Sequence, residues 1–377
     1  MQPLNGIRVV DFTTLLPGPL ATLMLARAGA EVIKIERPSH GDEMRQYQPR
    51  FGNASSSFAL LNEGKRSIAI DLKDDESKQM LIKLIATADI VIEQFRPGVM
   101  QRLGLAYATL SKSLPQLIYV SITGYGQSGQ NANDAGHDLN YMAASGLLDL
   151  VCDERGKPGM PPVLAADIAG GSYPAVMNIL LALRQRDDKG MGCQIEISMT
   201  DNLFPLGFWA WGRGMATGDW PRRGGERLTG GSPRYQIYKT KDNRYLAAAP
   251  LEQRFWLQFC ELIELPDSMH EDSDAPHDVI QAVQKIIEQK TSSEWKNIFS
   301  SHDVCCNVVA SMEEAVNSDH ISAHGKFNRK IKHGSNETLN AIPLPTDLNF
   351  DMNGTVAPSC PPLGEANVEF GFEPVDV

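Results

Sequence analysis

Five short apolar runs, rich in β-branched residues, are spread along the first third of the chain with polar or helical stretches between them. They are residues 7–12 (IRVVDF), 31–36 (EVIKIE), 67–72 (SIAIDL), 89–93 (DIVIE) and 117–122 (LIYVSI). Runs of this length and composition read as strands. Between them, residues 17–28 have helical spacing with Gly29 as a stop, and residues 75–88 read as an amphipathic helix. Strands joined through helices pair in parallel. The pattern therefore predicts an α/β fold with a Rossmann-like parallel sheet, on which ligands bind beyond the carboxyl ends of the strands.

Further along, residues 167–186 have the spacing of a long helix, followed by a turn and a strand in GMGCQIEISM. The texture changes near Thr217, where GDWPRRGGERLTGGS reads as a Gly- and Arg-rich linker. Residues 235–239 and 245–249 flank KTKDN and suggest a hairpin; helical patterns follow at 252–264, 277–290 and 292–300. The expected organisation is a large Rossmann-like domain over 1–200, a linker over 201–224 and a small α+β domain over 225–315. Residues 316–377 are expected to return, irregular and Pro-rich, to the large domain.

Charge narrows the function classes. The 377 residues carry 35 Lys and Arg against 46 Asp and Glu, a net charge of −11. That disfavours nucleic acid as a general partner while leaving room for a local basic pocket. The six cysteines form no CxxC pair, so free thiols in a reducing compartment are expected rather than a disulfide framework or zinc site. No secretory signal pattern is visible, and no apolar run reaches the ~18 residues of a membrane span. The expectation is a soluble cytoplasmic protein with no metal or redox cofactor.

Several features could carry chemistry. A literal GxGxxG at residues 124–129 (GYGQSG) is followed by the polar loop QNANDAGHD instead of a helix, which argues against a dinucleotide fingerprint. His137 and Asp138 pair an imidazole with a carboxylate where a helix begins, a place whose free N–H groups suit an oxyanion. Asp138 as a simple N-cap, with His137 on the surface, is the plainer alternative. Asp167 precedes a long apolar helix, and Glu252 precedes another; for both, capping or a favourable dipole contact explains the residue equally well. Arg37, Lys73, Arg96 and Arg102 follow strands and so lie near the carboxyl edge of the sheet. They read either as a hold on a phosphorylated ligand or as solvated surface charge.

In combination, GHDLNYMAASG, ADIAGG and the Glu252 region resemble the α-methylacyl-CoA racemases of the class III CoA-transferase (CaiB/BaiF) family. LPGPLATLMLARAGAEVIKIERP, GKRSIAIDLK and FRPGVMQRLGL add to the resemblance, which covers residues 4–260 best. It implies an interlocked homodimer in which each active site joins a large domain to the partner's small domain. It implies that His137 and Asp167 are the acid–base pair and that Glu252 is the acid contributed by the second domain. Asp138 matches the nucleophile of the transferases. Arg37, Ala69, Ile70, Asp71, Leu72 and Lys73 match positions of the CoA site, as do Gln94, Phe95 and Arg102. Gly136, Leu139, Asn140 and Tyr141 match the segment cradling the thioester.

Two departures stand out: residues 41–61 form a longer connection than compact racemases have, and the Glu252 segment reads PLEQRF. The implied function is racemisation of 2-methylacyl-CoA thioesters through an enolate, in fatty-acid metabolism, with coenzyme A as part of the substrate. The alternatives are CoA transfer through an aspartyl anhydride at Asp138, and acyl-CoA binding without catalysis. Phe204, Phe208, Trp209 and Trp211 could line an acyl surface, although their helical spacing also suits a core.

Overall fold

The computed structural model describes residues 2–52, 54–153, 156–272, 275–333, 337–351, 356–357 and 359–375. Six strands make one sheet: β1 (Arg8–Asp11), β2 (Glu31–Glu36), β3 (Arg66–Ala69), β4 (Ile90–Glu93), β5 (Ile118–Thr123) and β6 (Gln194–Ser198). Their order is β3-β2-β1-β4-β5-β6, and every pairing is parallel. This doubly wound order reverses between β1 and β4, where a crevice opens at the carboxyl ends. The central strands β4 and β5 are buried at every residue because helices cover both faces there, while the edge strand β6 is exposed at Gln194 and Glu196.

Helix α1 (Pro17–Arg27) starts on a proline at its first position and is buried along its whole length, which explains its nearly unbroken apolar sequence. Helix α2 (Asp75–Ile85) is amphipathic; the Asp74 carboxylate caps it by accepting from Ser77 N–H at 2.7 Å. Helix α3 (Asp138–Ala144) is short, and a π-helical turn at Ala166–Ser172 runs directly into α4 (Tyr173–Lys189), which ends on left-handed Gly190. The continuous stretch Ala166–Lys189 is long and apolar enough to cross a bilayer by length and composition. The expectation of no such run counted uninterrupted apolar residues only. In this fold the stretch packs on α1, β5 and β6.

The chain divides into two compact units: residues 1–145, 163–205 and 319–377 form the first, and residues 146–162 and 206–318 the second. This differs from the expected boundaries in two places. Residues 146–162 group with the second unit, and the segment expected as a linker contains helix α5 (Phe208–Thr217). The Gly- and Arg-rich stretch that suggested a linker begins only at Gly218, after this helix, and inside the helix a Cβ at Gly214 would lie 2.4 Å from the Trp220 ring.

The second unit is α+β. Strands β7 (Gln236–Lys239), β8 (Tyr245–Ala248) and β9 (Cys306–Val308) form an antiparallel sheet in the order β9-β8-β7. It is covered by α6 (Gln253–Ile263), α7 (Pro276–Ile287) and α8 (Ser292–Phe299) over a core containing Trp256, Phe259, Trp295 and Phe299. The returning segment is less irregular than expected: β10 (Lys330–His333) pairs antiparallel with β11 (Glu337–Asn340) and parallel with β12 (Val356–Ala357).

Candidate active site

The carboxyl ends of β1, β4 and β5 open into a cavity of about 520 Å³. Leu15 and Pro17 line it from the loop after β1, Gln94, Phe95 and Arg96 from the loop after β4, and Gly124 from the end of β5. Gly136, His137, Asn140 and Tyr141 close one side, and Asp167 closes another.

His137 takes the N-cap position of α3. Its backbone N–H donates to Asn140 Oδ1 at 3.0 Å, and the Tyr141 hydroxyl donates to Gly136 O at 2.6 Å. The main chain around the imidazole is thus fixed from both sides. A Cβ on Gly124 or Gly136 would lie 2.3 or 2.7 Å from the Tyr141 ring. Gly124, in the glycine-rich stretch, therefore serves close packing around the cavity.

Asp138 does not cap its own helix. It is only 4% exposed, and its Oδ1 accepts from Ala166 N–H at 2.7 Å and Asp167 N–H at 3.0 Å. It caps the neighbouring π-helical turn and so fixes where Asp167 sits. Asp167 lies inside that turn and makes no capping bond. Burial pushes its carboxyl up to about 6, the nearby Asp138 charge adds to the rise, and His137 opposes it. The glycines of ADIAGG permit close approach, since a Cβ at Gly170 would lie 2.4 Å from Met199 O. Behind the cavity, burial raises the Glu93 carboxyl to about 7, against hydrogen bonds with Ser121 and the Phe95 N–H.

An adjoining cavity of about 640 Å³ spans the ends of β2 and β3. Arg37, Ile70, Asp71, Leu72, Lys73 and Phe95 line it, and Phe95 also lines the first cavity. Most of the expected CoA positions thus fall on one continuous stretch of the sheet edge. Three of the expected substrate-binding residues do not line either cavity, and neither do the expected catalytic residues Asp138 and Glu252. Ala69 is buried, and its N–H and C=O are bound by the Asn367 side chain at 2.8 and 2.9 Å. Leu139 points outward from α3, and Arg102 is exposed on the helix Val99–Leu103. Glu252 belongs to the second unit, as the N-cap residue of α6 without a capping bond. Sequence reasoning did not single out Leu15 and Pro17, although Pro17 lies in the LPGPLATLM stretch that adds to the resemblance and both follow the first strand. Among the described residues, no group of three or more His, Cys, Asp or Glu side chains is arranged to hold a metal ion.

CoA-transferase family III matches residues 4–367 of this chain. The chain belongs to that family. Over 387 aligned residues it is 33% identical to the α-methylacyl-CoA racemase of Mus musculus, covering 99% of this chain and 95% of the relative. It is 36% identical to the succinyl-CoA:glutarate CoA-transferase of Mus musculus over 272 residues, covering 71% and 61%. The solved structure of Rv3272 from M. tuberculosis superposes with a TM-score of 0.83 at 26% identity, covering 98% of this chain and 99% of that one. Membership makes this an enzyme of CoA-transferase family III and implies a CoA thioester as its ligand. Both racemases and transferases stand among its relatives.

Proposed function

We propose that this family III enzyme inverts the α-carbon of 2-methylacyl-CoA thioesters by 1,1-proton transfer, with His137 and Asp167 as the acid–base pair. The observation that carries the reading is their shared cavity, together with an Asp167 carboxyl raised to about 6. Raising a carboxyl brings its strength as an acid toward that of an imidazole, which reaction in both directions requires. One group removes the α-proton from one face, the thioester oxygen takes up the charge as an enolate, and the other group protonates the opposite face. The N–H groups of Asp138 and Leu139 precede the first hydrogen bond of α3, which Asn140 N–H donates to His137 O at 2.8 Å, so those two are the donors for that oxygen. One such donor is worth about 3–4 kcal/mol of barrier. Arg37 and Lys73 in the adjoining cavity hold the CoA phosphates. No further cofactor takes part.

The proposal includes an interlocked homodimer in the cytoplasm. Tyr173, Met177 and Leu181 are exposed at helical spacing along α4, and Phe208 and Met215 are exposed on α5. Apolar surface of this kind supports burial against a second copy. In that assembly, Glu252 of the partner subunit orients one member of the pair.

The pH dependence is characteristic. Each direction needs one proton shared between His137 and Asp167, so both directions share one bell-shaped kcat/KM profile whose limbs belong to the pair. Because the Asp138 charge raises the Asp167 pKa, Asp138→Asn is expected to move the acid limb to lower pH in both directions. Asn keeps an acceptor for the two N–H groups, so the limb moves without loss of the fold. Profiles measured from each enantiomer check this; an unmoved limb contradicts the electrostatic role given to Asp138.

Transferase relatives favour a second reading. There an Asp138 oxygen attacks the thioester carbonyl, the CoA thiolate leaves, and a mixed anhydride remains. Since Oδ1 already accepts two backbone N–H groups, Oδ2 is the atom to attack. Hydroxylamine trapping at Asp138 and dependence on an acceptor acid test it. The racemase reading predicts neither.

A further inference from the structure

We propose that Asp42 is a positioning residue that holds Leu15 in the wall of the His137–Asp167 cavity, an inference that rests on the racemase reading. Leu15 has φ +61°, a left-handed backbone in which a side chain crowds the following carbonyl. Such a conformation persists only where the surroundings impose it.

Here the surroundings are specific. Leu15 N–H donates to both oxygens of the Asp42 carboxylate at 3.2 Å. Asp42 pairs with Lys34 Nζ at 2.9 Å, and the same Nζ donates to Thr13 O at 2.6 Å. One ammonium group therefore ties down the main chain on both sides of Thr14, at Thr13 O directly and at Leu15 N–H through Asp42. Lys34 and Asp42 are fully buried, and Glu36 Oε2 accepts from Asp42 N–H at 2.9 Å. Leu15 lines the cavity that contains His137 and Asp167, while Asp42 lines the adjoining one.

The apolar packing agrees. Met44, Phe58 and Leu61, from the connection over residues 41–61, form a cluster against which Leu15 and Ile168 both pack. Ile168 directly follows Asp167. The long connection that distinguishes this chain thus buttresses two walls of the reaction cavity at once.

The experiment is a double-mutant cycle on the full-length protein with Asp42→Asn and Leu15→Gly. It reads kcat for α-proton exchange in a 2-methylacyl-CoA, the Kd of CoA, and amide hydrogen exchange over residues 13–16. Asp42→Asn is expected to lower kcat roughly 10- to 100-fold, as misplacement of a reacting substrate does, and, since Asp42 also lines the adjoining cavity, to change the CoA Kd by a much smaller factor. With glycine at position 15, which adopts this φ unaided, the same substitution is expected to cost far less. Equal losses in both backgrounds, or kcat and CoA affinity falling together, overturn the proposal. If Asp42→Asn does not fold, Lys34→Gln combined with Asp42→Asn removes the two opposite charges together and carries the same comparison. Amide exchange needs no substrate, and in the Asp42→Asn protein it is expected to be faster by on the order of tenfold. A wild-type enzyme without α-proton exchange overturns the racemase reading alone; amide exchange unchanged by the substitution then overturns this one.

Discussion

Replacing His137 or Asp167 by alanine is expected to lower the interconversion of 2-methylacyl-CoA enantiomers by about 10²- to 10⁴-fold, the range a positioned acid–base group contributes. Inversion needs a group on each face, so neither residue can cover for the other. The two substitutions differ in what they leave behind. Each variant keeps one group, which can still exchange the α-proton of the enantiomer it faces. Loss of inversion with exchange surviving for only one enantiomer, and for opposite enantiomers in the two variants, is the expected signature. Chiral chromatography together with deuterium content at the α-carbon reads it. Inversion at the wild-type rate in either variant removes that residue from the mechanism.

The second large effect concerns the return of the chain to the first unit. Arg27, at the end of α1, is 3% exposed. Its Nε donates to Asp351 Oδ1 at 3.0 Å, its Nη2 pairs with Asp351 Oδ2, and its Nη1 lies 3.4 Å from Glu63 Oε1 and donates to Ile342 O at 2.9 Å. Arg329 joins the same two carboxylates at 3.5 and 3.9 Å. Burial raises the Glu63 pKa, and the arginines work against that rise. Removing one partner from a buried ionic cluster leaves uncompensated charge at a cost of about 3–5 kcal/mol. Arg27→Ala is therefore expected to lower stability by that amount in a urea titration. Lys78→Ala, which breaks the Lys78–Asp75 pair on α2 at 2.7 Å, is expected to change it by no more than ~0.5 kcal/mol, because Asp75 is well exposed. Equal effects from the two would contradict the view that this cluster fastens the C-terminal segment beside α1.

The centre of the sheet was legible because β4 and β5 are buried on both faces, so each reads as an apolar run whatever its neighbours. That His137 and Asp167 line one cavity was not legible from local rules. Those rules assign Asp138 to its own helix, whereas its carboxylate reaches across to Ala166 and Asp167. Ala69 and Ile70 are adjacent in sequence, yet Asn367 occupies the backbone of the first and only the second lines a cavity. That contact spans almost the whole chain, beyond the reach of any periodicity. Leu15 was invisible for a related reason: its conformation is imposed by Asp42 and Lys34, and nothing in TTLLPGP announces it. Glu252 was read from resemblance, and the role proposed for it depends on the proposed assembly.

The most direct test of the central claim is incubation of the wild-type enzyme with one enantiomer of a 2-methylacyl-CoA in D₂O. The account predicts that the opposite enantiomer forms with a deuteron at the α-carbon, with no acceptor acid present. Retention of both configuration and α-proton across a panel of acyl chains, with CoA passing instead to an added carboxylic acid, would contradict it.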